Sequence, residues 1–186
     1  MAYDHFAEVY RAKVPWDIGK PQPTFVEVAD QVHGSVIDLG CGTGEHALFF
    51  AQRGHLVTGI DFVAEVIAQA NTKARERGLA ATFLVQDALA LEAMPQQFDS
   101  GIDSGLFHVF SDEERPKYVN GLECILKPNA SVIKSRRALA HAAYRRRKSE
   151  RRFPPGRSRA FRKAALRLRQ SSPLCFRKAG HLLGFA

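Results

Sequence analysis

The sequence predicts an α/β fold, a parallel sheet with helices on both faces. Short β-branched runs alternate with helix-period segments between residues 35 and 134, and the strand-like runs end near Gly or Asp. The first two helical segments each close on a glycine, Gly54 and Gly78, the residue that most readily takes the left-handed turn after a helix.

Each element has its own local reason. "SVIDLG" is an apolar run suited to a strand buried on both faces. "EHALFFAQRG" reads as a helix of about ten residues stopped at Gly54. "HLVTGIDF" is a second strand ending in Asp61. "AEVIAQANTKARERG" keeps most of a 3.6-residue period through Ala64, Ile67, Ala68 and Ala74, with polar Asn71 interrupting it. "ATFLVQDAL" is a third strand with Asp87 near its end, and "FDSGIDSGLFHVF" a fourth that opens into a loop. In "SDEERPKYVNGLECILKP" two helix starts compete: Ser111 and Glu114 have capping-box spacing, while Pro116 favours a first turn beginning at itself. After Pro128, "SVI" begins a fifth strand, and the rhythm stops near residue 134. Parallel pairing with right-handed crossovers follows from this order.

The chain has 186 residues, enough for one α/β domain with a proper core and short for two. Its net charge of +8 hides two unlike pieces. Residues 1–130 carry 10 Lys and Arg against 18 Asp and Glu, a balance of −8; residues 131–186 carry 17 against the single Glu150, a balance of +16. The domain is therefore drawn over residues 1–134, with residues 135–186 an Arg-rich tail expected to be weakly helical or without fixed structure. Cys41, Cys124 and Cys175 lack zinc-ligand or disulfide-framework spacing and fit a reducing, cytoplasmic setting. "MAYDHFAEVY" does not read as a secretory signal, and no run approaches the roughly 20 apolar residues of a membrane span, so a soluble protein is expected.

The chemistry concentrates at "DLGCGTGE". Gly40, Gly42 and Gly44 alternate after Asp38, at the junction of a strand and a helix. A dinucleotide loop would need glycine where Glu45 stands, and a carboxylate in the first helical turn would repel a pyrophosphate. No G-x-x-x-x-G-K-[ST] loop is present. S-adenosylmethionine answers the pattern better. Its ammonium suits Asp38, its carboxylate a helix N-terminus, its ribose hydroxyls Asp61, and its adenine amine Asp87.

"VIDLGCGTG", "GIDF", "QDAL" and "FDSGIDSGLFHVF", with "VPWDIGKPQP" upstream, resemble the motifs of class I S-adenosylmethionine-dependent methyltransferases. The Trp-Asp-x-Gly-x-Pro-x-Pro segment is similar to that of the thiopurine methyltransferase-like and halide/thiol methyltransferase branch. The resemblance implies a Rossmann-like sheet of order 3-2-1-4-5-7-6, an N-terminal segment within residues 1–30 that covers the cofactor, and Trp16 against its methionine or sulfonium part. In "GIDF" and "QDAL" it implies Phe62 and Ala88 as further members of the cofactor-binding set. It implies a small-molecule methyl acceptor: a thiol, halide or hydroxyl. Asp103, Phe107 and His108 follow strand four and are the acceptor-side candidates, Asp103 also lining the cofactor site and His108 serving as a base for a protonated acceptor. Each of these has a plainer reading: Trp16 as a core aromatic, Asp61 and Asp87 as solvated strand ends, His108 as a structural ring.

The tail raises a rival class. Its cations, with Phe153, Phe161 and Phe176 for base stacking, fit a nucleic-acid partner or an RNA/DNA methyltransferase. Against this, the preceding domain is acidic, and strand four reads "IDSG" instead of the Asn/Asp-Pro-Pro-Tyr of base-flipping amino methyltransferases. The abrupt Arg, Ala, Ser and Pro text also fits an out-of-frame reading beginning near residues 129–135, which would leave the last strands missing or replaced and an inactive chain.

Overall fold

The computed structural model describes Tyr10, Val14 and residues 16–134. β1 (Ser35–Leu39) lies in the middle of a five-stranded sheet with β2 (Leu56–Asp61), β3 (Ala81–Val85), β4 (Phe98–Asp103) and β5 (Leu126–Lys134), in the order β3-β2-β1-β4-β5. All four pairings are parallel. This is the first part of the expected order. The two strands expected beyond residue 134 lie outside the described residues, as does the Arg-rich tail on which the expected nucleic-acid partner depends. Of the stretch where a shifted reading frame is expected to begin, residues 129–134 are described and belong to β5. No helix among the described residues is long and apolar enough to cross a membrane.

Period-two alternation along β1 sends its side chains into two cores. Val36 packs with Phe25, Phe50, Ala70 and Phe83, while Ile37 and Leu39 pack with Leu91, Tyr118, Leu122 and Ile125. The first core is covered by α1 (Pro23–Glu27), α2 (Glu45–Gln52) and α3 (Ala64–Glu76), the second by α4 (Glu114–Ile125) and the 3₁₀ turn Leu91–Ala93. Right-handed β1-α2-β2-α3-β3 crossovers put both helices on one face, and reversal of the strand order at β4 puts α4 on the other.

Gly54 and Gly78 terminate α2 and α3 with φ of +89° and +62°. The α3 stripe is displaced from the expected one: Val66, Ile67, Ala70 and Ala74 are buried, whereas Ala64 and Ala68 are exposed. Asn71 turns its amide back onto the Ile67 carbonyl at 3.0 Å, which leaves the apolar face to the neighbouring positions. The competing starts of α4 are reconciled. Ser111 Oγ accepts the Glu114 N–H at 3.3 Å while the Glu114 carboxylate accepts the Ser111 N–H at 2.8 Å. Pro116 then falls in the first turn, where a missing N–H breaks no helical bond. β5 starts earlier than Pro128: Leu126 pairs with Phe98, and the ladder resumes at Ser131 with Ser100. The excursion between them holds Pro128, which cannot donate to a ladder, and Asn129 at φ +67°.

Gly44, the N-cap of α2, has φ +86°, and a Cβ there would lie 2.9 Å from Ala70 Cβ and 3.0 Å from the Phe83 ring. Gly54 shares the left-handed backbone but has open space around it. Gly54→Ala should therefore cost about 1 kcal/mol, the backbone penalty alone. Gly44→Ala should cost about 2–4 kcal/mol, because overpacking adds to it. Urea denaturation of the two variants measures the gap; equal losses would refute the close approach of α2 and α3.

Candidate functional site

The carboxyl ends of β1, β2 and β4 each present an acid, and all three are buried: Asp38, Asp61 and Asp103 are exposed by 0, 5 and 2%. Topology brings them together, because parallel strands end on one edge and the order reverses between β1 and β4.

Asp38 Oδ2 accepts the Ala47 N–H of α2 at 3.1 Å, whereas Oδ1 has no hydrogen-bond partner among the described residues. Burial pushes this carboxyl up to about 7; the Ala47 N–H opposes the rise, and the charges of Asp61 and Asp103 add to it. Asp61 is better satisfied, accepting Gly42 N–H and Val63 N–H at 3.0 Å each. Burial still raises it against those bonds and a third from Phe62 N–H. Asp103 accepts Phe107 N–H at 3.2 Å and the buried Tyr118 hydroxyl at 3.2 Å. Burial raises it too, with Lys134 chief among the groups pulling it down. Three acids are buried at one sheet edge, and one of them has an oxygen without a hydrogen-bond partner among the described residues, a combination that a cation would stabilise.

The glycine loop supplies the floor. A Cβ on Gly40 would lie 3.1 Å from Leu106 Cδ1, and one on Gly42 would lie 3.1 Å from Tyr10 Oη. The N-terminal segment thus lies directly on the loop backbone. Trp16 is half-buried and meets Tyr10 edge to face, with ring centroids 6.2 Å apart. Burial, and then the Asp61 charge, raise the Tyr10 hydroxyl above its ordinary range.

Asp87 stands apart from the buried acids. Its carboxylate is exposed and accepts the Leu89 N–H of its own turn at 2.8 Å, although the Gln86 N–H beside it bonds the Asp61 carbonyl. Ala88 is buried in the second core and Phe62 is half-buried. On the acceptor side Phe107 is half-buried, with Lys134 Nζ 3.5 Å and the Arg115 guanidinium 5.3 Å from its ring centroid. His108 is exposed beside it at the end of the 3₁₀ turn Leu106–His108. A surface hollow lined in part by Asn71, Arg75 and Leu79 holds none of these residues.

Several contributors have no local signal in the sequence. Glu45, expected to repel an anion at the start of α2, is instead buried and bound by Lys73 at 2.7 Å and Arg77 at 3.0 Å. Burial raises its carboxyl, but Arg77 and Lys73 outweigh that and hold it below the usual range. His46 accepts the Gln22 N–H on Nε2 at 3.2 Å. Burial lowers it to about 4, against Glu45 and Asp17, so the ring is a neutral acceptor. Tyr118, which reads as a plain core aromatic of α4, is the group that reaches Asp103. The free thiol of Cys41 is buried and raised well above its ordinary value, first by burial, which agrees with a packing role.

An adenosyl sulfonium fits this edge. Its amino-acid ammonium would match the Asp38 oxygen that has no partner among the described residues, while the space a Cβ would take at Gly40 and Gly42 is met by Leu106 and Tyr10. Comparison with known proteins agrees. Residues 36–129 match the family described as Methyltransferase domain. The 2-heptyl-1-hydroxyquinolin-4(1H)-one methyltransferase of Mycobacteroides abscessus is 39% identical over 129 residues, 68% of this chain and 57% of that protein. The demethylmenaquinone methyltransferase of Thermus thermophilus is 37% identical over 100 residues, 53% of this chain and 44% of that protein. The chain thus spans about half the length of these curated relatives. A solved structure from work on conversion of a disulfide bond into a thioacetal group during echinomycin biosynthesis superposes with a TM-score of 0.71 at 38% identity, covering 85% of this chain and 72% of that one. With glycine loop, strand order and buried acids all in agreement, the chain belongs to the class I methyltransferase family, whose cofactor is S-adenosylmethionine.

Proposed function

We propose that this chain is an S-adenosylmethionine-dependent methyltransferase acting on a small-molecule acceptor, a thiol, halide or hydroxyl. The observation that carries the reading is Asp38 Oδ1, a fully buried carboxylate oxygen with no partner among the described residues, beside the glycine loop. The hydroxyl option gains weight from a relative named for a 1-hydroxyquinolinone acceptor. The Trp16 to Pro23 segment, seated on the loop through Tyr10 and Thr43, supports the thiopurine and halide/thiol branch.

The cofactor, when bound, supplies a methyl group on a positively charged sulfur that leaves as a neutral thioether. The chain's own residues have three tasks: to bind, to align, and to take a proton where the acceptor carries one. Asp38 meets the ammonium, and Asp61 the ribose hydroxyls. Asp87 stays at the rim as the adenine acceptor, with Phe62 and Ala88 beside the base. Trp16 lies at the sulfonium, where a desolvated cation–π contact is worth about 2 kcal/mol. Alignment of acceptor and methyl contributes more, up to about 7–11 kcal/mol in well-ordered cases. Asp103 is engaged by Phe107 and Tyr118, which supports a role as a wall of the site; His108, exposed nearby, takes the proton of a hydroxyl acceptor. Phe107 forms the acceptor face. A thiolate or halide would need no base, and rate would then depend little on His108.

Titration calorimetry with S-adenosylhomocysteine tests the site directly. The full chain should show saturable binding, and Asp61→Ala should weaken it by about 100-fold or more, through loss of the ribose bonds and of the Gly42 and Val63 bonds that shape the loop. Equal affinities for the two proteins would place the cofactor elsewhere.

The protonation of Asp38 adds a second prediction. With its carboxyl raised to about 7, the free protein holds a proton there below pH 7, and a bound ammonium favours the ionised form. Binding therefore releases a proton, and affinity should climb about tenfold per pH unit from pH 5 to 7 and level off above that. At pH 6, heats measured in buffers of low and high ionisation enthalpy should differ by the equivalent of about one proton per site. Heats independent of buffer would remove Asp38 from the ammonium site.

A further inference from the structure

Thr43 sits between Gly42 and Gly44, at φ +53° and +86°, and is itself 7% exposed. A hydroxyl has one proton to give and lone pairs to accept with, and Thr43 uses both kinds. It donates to Asp17 Oδ2 at 2.7 Å and accepts from Lys73 Nζ at 2.7 Å. Asp17 belongs to the segment lying on the loop, and its other oxygen accepts the Gly19 N–H at 3.1 Å, which fixes the turn after Trp16. Lys73 rises from α3 and also holds Glu45 at 2.7 Å, which Arg77 clasps through both carboxylate oxygens. Positive and negative groups alternate along this network, and the Lys73 side chain is only 25% exposed, so water screens it incompletely.

The far end of the segment is pinned separately. Gln22 gives its backbone N–H to His46 and its side-chain amide to the Trp16 carbonyl, at 3.2 and 3.1 Å. Just before these ties, the Trp16 ring packs edge to face on Tyr10, whose hydroxyl lies against Gly42 of the loop. Asp17 and Thr43 are 26 residues apart in sequence and Thr43 and Lys73 are 30, so no local preference makes these contacts. One hydroxyl thus serves the loop and the segment above it together.

We propose that Asp17, Thr43 and Lys73 form a positioning relay that latches the Trp16 segment onto the glycine loop and sets how tightly the adenosyl cofactor is held. The inference rests on the methyl-donor reading of the site. A ligand lying between loop and segment is retained only while both keep their positions. Loss of the shared hydroxyl releases the segment and lowers affinity by the same linkage.

Trp16 is the only tryptophan in the chain, so its fluorescence reports the segment directly. The test compares the full-length chain, Thr43→Val, Thr43→Ser and Lys73→Met by acrylamide quenching without ligand, and by calorimetry with S-adenosylhomocysteine. Valine keeps the shape and removes the hydroxyl; serine keeps the hydroxyl. Thr43→Val should make Trp16 more accessible to quencher and raise Kd about tenfold, the effect of one lost charge-assisted bond. Thr43→Ser should restore both readings, and Lys73→Met should follow Thr43→Val. Unchanged quenching in Thr43→Val overturns the latch whatever the affinity does, and so does failure of serine to restore it. An unmutated chain that binds no S-adenosylhomocysteine overturns the methyl-donor reading and the link to affinity. Quenching that still separates Thr43→Val from the parent would then leave the latch as a structural tie alone.

Discussion

Asp38 is held by one oxygen and left bare at the other, and the arrangement of the edge above it follows from that division. The bond from Ala47 N–H to Oδ2 anchors the first turn of α2 against the end of β1, which fixes where the glycine loop must turn. The other oxygen is enclosed without a donor among the described residues, a state that raises the free energy of the ionised group by several kcal/mol unless a cation arrives. Asp99, near the opposite end of the sheet, shows the alternative. Its carboxylate takes bonds from Lys127 and from the Ser35 N–H and hydroxyl, and these hold it below the ordinary carboxylate range.

The remaining groups are organised around that unpartnered oxygen. Asp61 commits its oxygens to the backbone of Gly42 and Val63, so the end of β2 holds the loop in shape. Asp103 and Tyr118 close the β4 side. The segment from Trp16 to Gln22 lies across the top, fastened at Thr43 and His46. Two cores, one on each sheet face, keep the strand ends in register beneath them. Burial at one sheet edge removes the water that would screen them, which is why the Asp61 and Asp103 charges act on Asp38.

The elements were legible because their signals are local. A β-branched run ending at glycine, or a helical segment stopped by Gly54 or Gly78, needs no knowledge of the rest of the chain. Where the structure departs from the local pattern, a tertiary or competing bond intervened. Asn71 folding back on Ile67 shifted the buried stripe of α3, and Pro128 with Asn129 split β5 into two pairings. In the site, Asp38 and Asp61 could be read from their spacing to the glycines. Lys73, His46 and Tyr118 could not, since each meets a partner 15 or more residues away and looks like an ordinary surface or core residue in its own helix.

Sequence alone determined the class of fold, the strand ends that carry acids, and the bare loop beside them, because strand period, helix stop and glycine content are properties of adjacent residues. The tertiary structure decided which acids share one environment. Reversal of strand order between β1 and β4 brought Asp103 to Asp38 and Asp61, while Asp87, next to the edge strand β3, remained in water. It also decided that Glu45 is neutralised within the domain and that Thr43 joins two distant segments. Burial and charge pairing depend on what the folded chain places within a few ångströms, and no stretch of sequence contains that information by itself.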